Sequence, residues 1–453
     1  MPPLVGLLAA AIVGSLAFLF AGQRRRTRMR VWQEAARAAG LQDVVASPGL
    51  LDMQLQGRAD HLVLHFENYR RGRYESGTRI SIRRTPERTP ALSVKREGLG
   101  TALGKELGAQ EIEIGDATFD RECFVQGPPT LALAVLDRAT RRTLAGVLGG
   151  YLPVGGTEIE VRASLDDGVL SVDLRDYPFE RAAARVAAAV PVVLALARRL
   201  VPPPDLAGRL AENLRTEPEP GVRLQIVVLL AREFRDHPAT HSALVAACSD
   251  PSLEVRLRAA TALGQEGLDT LLALASREDA EDSCSARAVA ALGVRLERPR
   301  LAATLEQARV TGRTHTACAC LELLAARVHE DNEGLLVRAL SDEQVSVRLA
   351  AARGLGRIGT ASAVAPLLEA EGAGGGLRGV ARQAIAEIQA RLKGAAPGQL
   401  SLSAGEAGTL SLADDEPGRL SVVSGPEDLP SADGSEGEPA AARMAREPER
   451  SRQ

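Results

Sequence analysis

Hydrophobic positions along the chain change their period three times. Residues 3–22 form an unbroken apolar run, the length a helix needs to cross a bilayer. From Leu50 to about Glu97 the period is two, with Leu62, Leu64 and Phe66 on one face of an extended segment and His61, Val63 and His65 on the other, as in a half-buried strand. The alternation predicts a hairpin with Met53 and Leu55 through a turn at Gly57 to Asp60, further strands at 78–83, 91–95 and 112–114, and a turn, short helix and strand over 114–127. An amphipathic helix over 130–148 follows, then a second hairpin around Asp166-Asp167-Gly168, a strong two-residue turn signal. Helical period covers 181–201 with an interruption at Pro191, and Pro202-Pro203-Pro204 reads as a stiff linker. From 205 to about 392 the period is helical throughout, and after Leu392 it stops.

Within the helical stretch one phrase recurs. Residues 250–264 read DPSLEVRLRAATALG and residues 342–356 read DEQVSVRLAAARGLG. Placing the arginine in register finds Arg223, Arg256, Arg287, a degenerate position at Thr316, then Arg348 and Arg378. Self-similarity at about 30 residues with few β-branched alternations predicts stacked two-helix units. Val255, Ala259 and Leu263, like Val347, Ala351 and Leu355, follow the spacing of a buried stripe. Asp250 and Asp342 are placed to cap the second helix of their units. Arg256 and Arg348, six residues on, are placed to reach an Asp of their own or the adjacent unit, so that Asp250, Arg256, Asp342 and Arg348 build a structural ladder. This phrase resembles the HEAT repeat in the short form of phycobilisome-lyase-like proteins. The resemblance implies an all-α solenoid and, by its usual role, a surface for protein partners. The weak units near 287 and 316 predict a bend or a contact zone in mid-stack.

Charge sharpens the N-terminal reading. The run at 3–22 is followed by Arg24, Arg25, Arg26 and Arg28 and preceded by no charge. That asymmetry predicts an uncleaved transmembrane anchor with the rest of the chain on the cytoplasmic side of a bacterial inner membrane, and it puts Trp32 at headgroup level. Residues 1–100 hold sixteen bases against eight acids, so Arg24, Arg25, Arg26, Arg28, Arg70, Arg71, Arg73, Arg83 and Arg84 form a candidate lipid-facing basic patch, against the plainer reading of a solvated strand face. The tail carries eleven acids against six bases and is rich in Gly, Ser and Pro, a composition that predicts disorder. Inside it Leu400-Ser-Leu, Leu410-Ser-Leu and Leu420-Ser-Val recur every ten residues, as linear motifs for a partner's sheet edge or as a duplicated solubilising tail.

Candidate chemistry is sparse. The chain has no phosphate-binding loop, no nucleophile elbow and no zinc-protease motif, so no catalytic residue, metal or cofactor is assigned. His315, Cys318 and Cys320 are too few and too divergent on a helix to hold zinc. Five scattered cysteines fit free thiols better than a disulfide framework. Gly115-Asp116-x-x-Phe119-Asp120, followed by Phe124, resembles bacterial domains found behind membrane anchors, a likeness that brings no activity with it. The net charge of −3 argues against a nucleic-acid partner.

The chain therefore reads as multidomain: an N-terminal transmembrane helix with its basic flank (1–30), an α+β domain (31–201), an all-α HEAT-like solenoid of about six helix pairs (205–392) and a disordered acidic tail (393–453). The function expected is a non-enzymatic, membrane-tethered scaffold binding protein partners. The alternatives are bilin attachment, which the lyase resemblance implies, and ligand sensing through the 31–201 domain.

Overall fold

The computed structural model describes residues 22–391, apart from 49–52, 72–74, 86–90, 98–109, 177–178, 278–280, 328 and 373–375, together with 400–402 and 410–412. Its first part is an antiparallel sheet. Strands β1 (Gln42–Pro48), β2 (Met53–Ala59), β3 (Leu62–Arg71) and β4 (Glu75–Arg84) form a meander. The sheet continues through β9 (Val169–Arg175) and β8 (Thr157–Asp166) to β5 (Ser93–Arg96) and β6 (Cys123–Gln126), with β7 (Tyr151–Val154) paired to β8. Both expected hairpins are present. The first turns more tightly than the pattern suggested, because Ala59 pairs with Leu62 and Asp60 takes the positive φ of 55° that a two-residue loop needs. The second turns at Asp167 and Gly168, both at positive φ.

The helix expected over 130–148 is two helices. Between α3 (Pro129–Val135) and α4 (Arg138–Leu148), the Asp137 carboxylate accepts the Thr140 amide at 2.8 Å and starts a new helix. A short α2 (Ala117–Glu122) precedes β6. The helix α5 (Phe179–Arg199) runs continuously through Pro191.

The membrane expectation is corrected. Among the described residues no helix is long and apolar enough to cross a membrane, which overturns the transmembrane fold class and the single-pass inner-membrane location; the apolar run itself, residues 3–21, lies outside the described residues. The described helix that follows it, α1 (22–38), packs on protein. Trp32 is fully buried against Phe66, with ring centroids 6.0 Å apart, and its indole N–H donates to Thr78 Oγ1 at 3.0 Å. Arg28 donates to Asn68 and pairs with the buried Asp176. The indole and one of the flanking arginines thus serve the sheet's core, where the sequence reading placed them at a lipid surface.

From Leu206 to Arg391 the described residues form six helix hairpins: α6 (Leu206–Thr216) with α7 (Pro220–Glu233), α8 (Pro238–Ala247) with α9 (Leu253–Leu263), α10 (Leu268–Ser276) with α11 (Asp282–Leu292), α12 (Arg298–Val310) with α13 (Thr314–Ala325), α14 (Glu330–Ala339) with α15 (Val345–Ile358), and α16 (Val364–Gly372) with α17 (Gly376–Arg391). The odd-numbered helices stack in one row from α7 to α17, while the even-numbered helices meet each other closely only at α6 and α8. A stack that is tighter along one row curves toward it, so the odd row lies on the inner side. The alanines of the repeat phrase make this possible: Ala259, Ala288, Ala317, Ala351 and Ala381 are all completely buried in the row.

One apolar core runs from Trp32 through the sheet into α6, α7, α8 and α9 as far as Ala259. A second begins at Leu257 and Ala260 and continues to Ile388. The two therefore divide within α9, and the α9–α11 step is the loosest in the row. Of the two weak units, the one near 316 shows no bend, since the α11–α13–α15 steps are close and regular; the one near 287 lies on α11, at the loose α9–α11 step. Outside the solenoid, the first two tail triplets pair with each other as β10 (Leu400–Leu402) and β11 (Leu410–Leu412); the third lies outside the described residues.

Candidate functional site

The inner row presents the solenoid's chemistry, and its geometry starts from the turns between hairpin helices. Asp250 does not cap α9 directly. It sits two residues before the N-cap, Ser252, and accepts that residue's own amide at 2.8 Å. Its carboxylate also takes a two-pronged hydrogen bond from Arg223 of the preceding unit, Nε to Oδ2 at 2.7 Å and Nη2 to Oδ1 at 2.8 Å. The bond to Asp250 pushes the Arg223 pKa upward against its partial burial. Arg223 Nη1 also donates to the Pro218 carbonyl at 2.7 Å, closing the turn before its own helix.

Other rungs are built differently. Asp342 accepts the Gln344 amide at 2.9 Å, as Asp250 accepts that of Ser252, but its cross-unit partner is Arg309 on α12 at 2.7 Å. Arg348 reaches the carbonyls of Asp342 and Glu343 in its own turn. At the degenerate position Thr316 takes the arginine's place: its hydroxyl donates to Asp282 Oδ1 at 2.7 Å, and the amides of His315 and Thr316 donate to the same carboxylate. Burial disfavours the charged form of Asp282, but these donors outweigh it and hold the carboxyl below its usual range. The Asp282–Thr316 rung explains why the stack stays regular where the phrase fails. Arg256 has a buried Nε without a partner, and it stands at the loose α9–α11 step.

The solvent side of the row is basic. The six inner helices carry eleven arginines against five acids, whereas the six outer ones carry six against eight. On α15, Val345 is 53 % exposed, and Arg353 and Arg357 stand exposed on the following turns. Arg258 on α9 and Arg378 on α17 are likewise exposed. None of Arg258, Arg353, Arg357 and Arg378 has a carboxylate partner among the described residues. This charge separation was not recognised in the sequence, because it appears only when the helices are sorted into two rows.

The basic residues of the candidate lipid patch do not form one surface. Arg70 and Arg71 end β3, where Arg71 pairs with Glu75, while Arg83 and Arg84 lie at the far end of the same ladder, where Leu62 pairs with Arg84, roughly 30 Å away at 3.3 Å per residue. Arg24 and Arg26 are exposed on α1, Arg25 is half-buried, Arg28 turns inward to Asp176, and Arg73 lies outside the described residues. His65 is half-buried, and burial, with Arg83 adding to it, lowers its pKa.

No cluster of three or more potential metal ligands occurs among the described residues. His315 is committed to Asp282 at 2.9 Å, and burial pushes the thiols of Cys123 and Cys320 up to about 12. In the sheet unit a cavity of about 290 Å³ is lined by Leu62, Ile82, Leu92, Leu165 and Leu200 with Arg84 on its wall.

The Gly115-Asp116-x-x-Phe119-Asp120 pattern holds no reactive group. Asp120 accepts the amides of Ile114 and Gly115, and Asp116 caps α2 and accepts Arg141 Nε at 2.9 Å. Arg141, only 2 % exposed, sends its other nitrogens to both oxygens of Glu217 at 2.9 Å. These residues join the sheet unit to the first solenoid hairpin.

Comparison with known families agrees with this architecture for part of the chain. Residues 301–386 match the family model of HEAT repeats. The match covers α13, α14, α15 and α16 with most of α12 and α17, where the row is most regular. No curated protein matches the chain significantly.

Proposed function

We propose that the chain is a non-enzymatic scaffold that holds a protein partner along the inner row of its solenoid. HEAT repeats commonly serve protein interaction, and this supports a binding role in general. The observation that carries the specific reading is the charge asymmetry between rows, centred on Arg353 and Arg357 on α15. Exposed guanidinium groups without internal partners keep their full capacity for bidentate contacts to carboxylates. Arginine is also the charged residue most enriched in interface hot spots. Affinity capture with the full chain and with an Arg353→Glu, Arg357→Glu chain tests this. Specific partners held by the first and lost from the second, with unchanged thermal stability, support the row as the binding face; identical partner sets overturn it.

The cavity beside Arg84 favours a second reading, in which the sheet unit takes a small ligand and the solenoid is its output arm. A thermal shift of the full chain on adding a metabolite, abolished by Leu165→Trp in the cavity wall, is the expected sign.

A further inference from the structure

The inner row ends at α17, and the chain that follows it is its electrostatic complement. Residues 413–438 contain eight carboxylates, Asp414, Asp415 and Glu416 among them, against one arginine, Arg419. The inner helices have the opposite balance, with Arg258, Arg353, Arg357 and Arg378 exposed and without carboxylate partners among the described residues. The outer helices, with more acids than bases, would repel the same segment.

Reach is sufficient. Leu400 follows Arg391, the end of α17, by nine residues, a lead that spans roughly 30 Å when extended, and the β10–β11 hairpin returns the chain beside Leu400 at Leu412. The neighbouring inner helix α15 stands only about 10 Å from α17, and the segment 413–438 can itself extend over roughly 85 Å along the row. Tethering raises the local concentration of the segment to the millimolar range even when each contact is weak.

We infer that the acidic segment 413–438 occupies the basic inner row of its own chain and competes with the partner for it. This rests on the reading of that row as the binding face. A partner must then be acidic enough, or contact enough apolar surface around Val345, to displace the segment. The contact is ionic and exposed, so it weakens as salt shortens the screening length.

The test uses a fluorescent peptide of residues 413–438, titrated by anisotropy into two full-length chains. One is native and the other has the eight acids of 413–438 changed to their amides. The amidated chain is expected to bind the peptide, with affinity falling as salt rises. The native chain is expected to bind it at least tenfold more weakly, because its own segment holds the row. Arg353→Glu, Arg357→Glu in the amidated chain should remove binding. Equal binding to native and amidated chains, or none to the amidated chain, overturns the proposal. So does a single-stranded oligonucleotide of equal charge that binds native and amidated chains alike, since the row would then serve an external polyanion. Loss of partner capture in the Arg353→Glu, Arg357→Glu chain with peptide binding intact sinks only the segment's occupancy. The reverse pattern sinks only the binding-face reading.

Discussion

Arg141 and Glu217 are 76 residues apart and meet in a two-pronged ion pair, with side chains only 2 % and 3 % exposed. One belongs to the second helix of the split α3–α4 segment, the other to the turn between α6 and α7. Asp116 supplies a second carboxylate, and the Leu136 carbonyl accepts from Nη1 at 2.9 Å. Burial alone would lower the arginine's pKa, but the carboxylates more than offset it. Nearby Asn213 donates to the carbonyls of Leu133 and Ala134 at 2.8 and 3.0 Å. Sheet unit and first hairpins share one core, so Pro202-Pro203-Pro204 links parts that are already packed together.

Replacing Arg141 by Met leaves Glu217 buried and uncompensated. A loss of about 3–5 kcal/mol is expected, read from the urea midpoint. Glu217→Gln keeps an acceptor for the guanidinium and should cost clearly less. An equal effect of the two substitutions would contradict the ion-pair account.

The shared core predicts joint unfolding. Trp32 is the chain's only tryptophan, so its emission reports the sheet unit, while helical circular dichroism is dominated by the solenoid. The sheet unit and the hairpins from α6 to α9 should melt in one transition. The hairpins beyond the loose α9–α11 step are free to melt separately, giving an earlier helical phase in which Trp32 emission does not change.

Gly115 has φ of +94°, and a Cβ there would lie 2.4 Å from the Gly221 carbonyl carbon. Gly115→Ala combines backbone strain of about 1–3 kcal/mol with a clash against backbone that cannot swing aside. Gly155→Ala, at φ +56° in open space, carries only the strain. The Gly115 variant should be the less stable of the two by differential scanning calorimetry.

Asp282 makes acid stability testable. Its folded pKa lies below the ordinary carboxylate value, so the unfolded chain binds more protons, and the stabilisation is present above about pH 4 and fades as pH falls through the lower folded value. Asp282→Asn should flatten the acid limb of the urea midpoint below the ordinary carboxylate range. Thr316→Val should flatten part of it. An unaltered limb in both would show that the rung carries no such linkage.

Much of the fold was legible because it rests on local pattern. The two-residue turn at Asp167-Gly168, the 30-residue phrase and the alanine stripe each fix a local geometry that side-chain spacing alone reveals, whereas the first hairpin, expected to turn from Gly57, turns only after Ala59. The split at Asp137 was missed because helical period continues across it, while capping depends on a single carboxylate. Trp32 was misplaced for a different reason: an aromatic after a basic run suits a headgroup layer and a sheet core equally, and only Thr78 and Phe66 decide between them. The Asp–Arg ladder was legible at Asp250, but its actual partner, Arg223, belongs to the unit before. Thr316 fills a rung from the degenerate position of the register, and Arg309 fills one from a position that the register does not predict.

The sequence by itself determined the stacked helix pairs, the alternating strands before them and the acidic balance of the tail, because each follows from composition or from a repeat of a few residues. Tertiary structure alone decided that the sheet and the first hairpins share a core, and that arginines scattered from Arg223 to Arg391 collect on one row. Both depend on which distant surfaces meet, and burial of Arg141 against Glu217 or exposure of Arg353 beside Arg357 leaves no local trace in the chain.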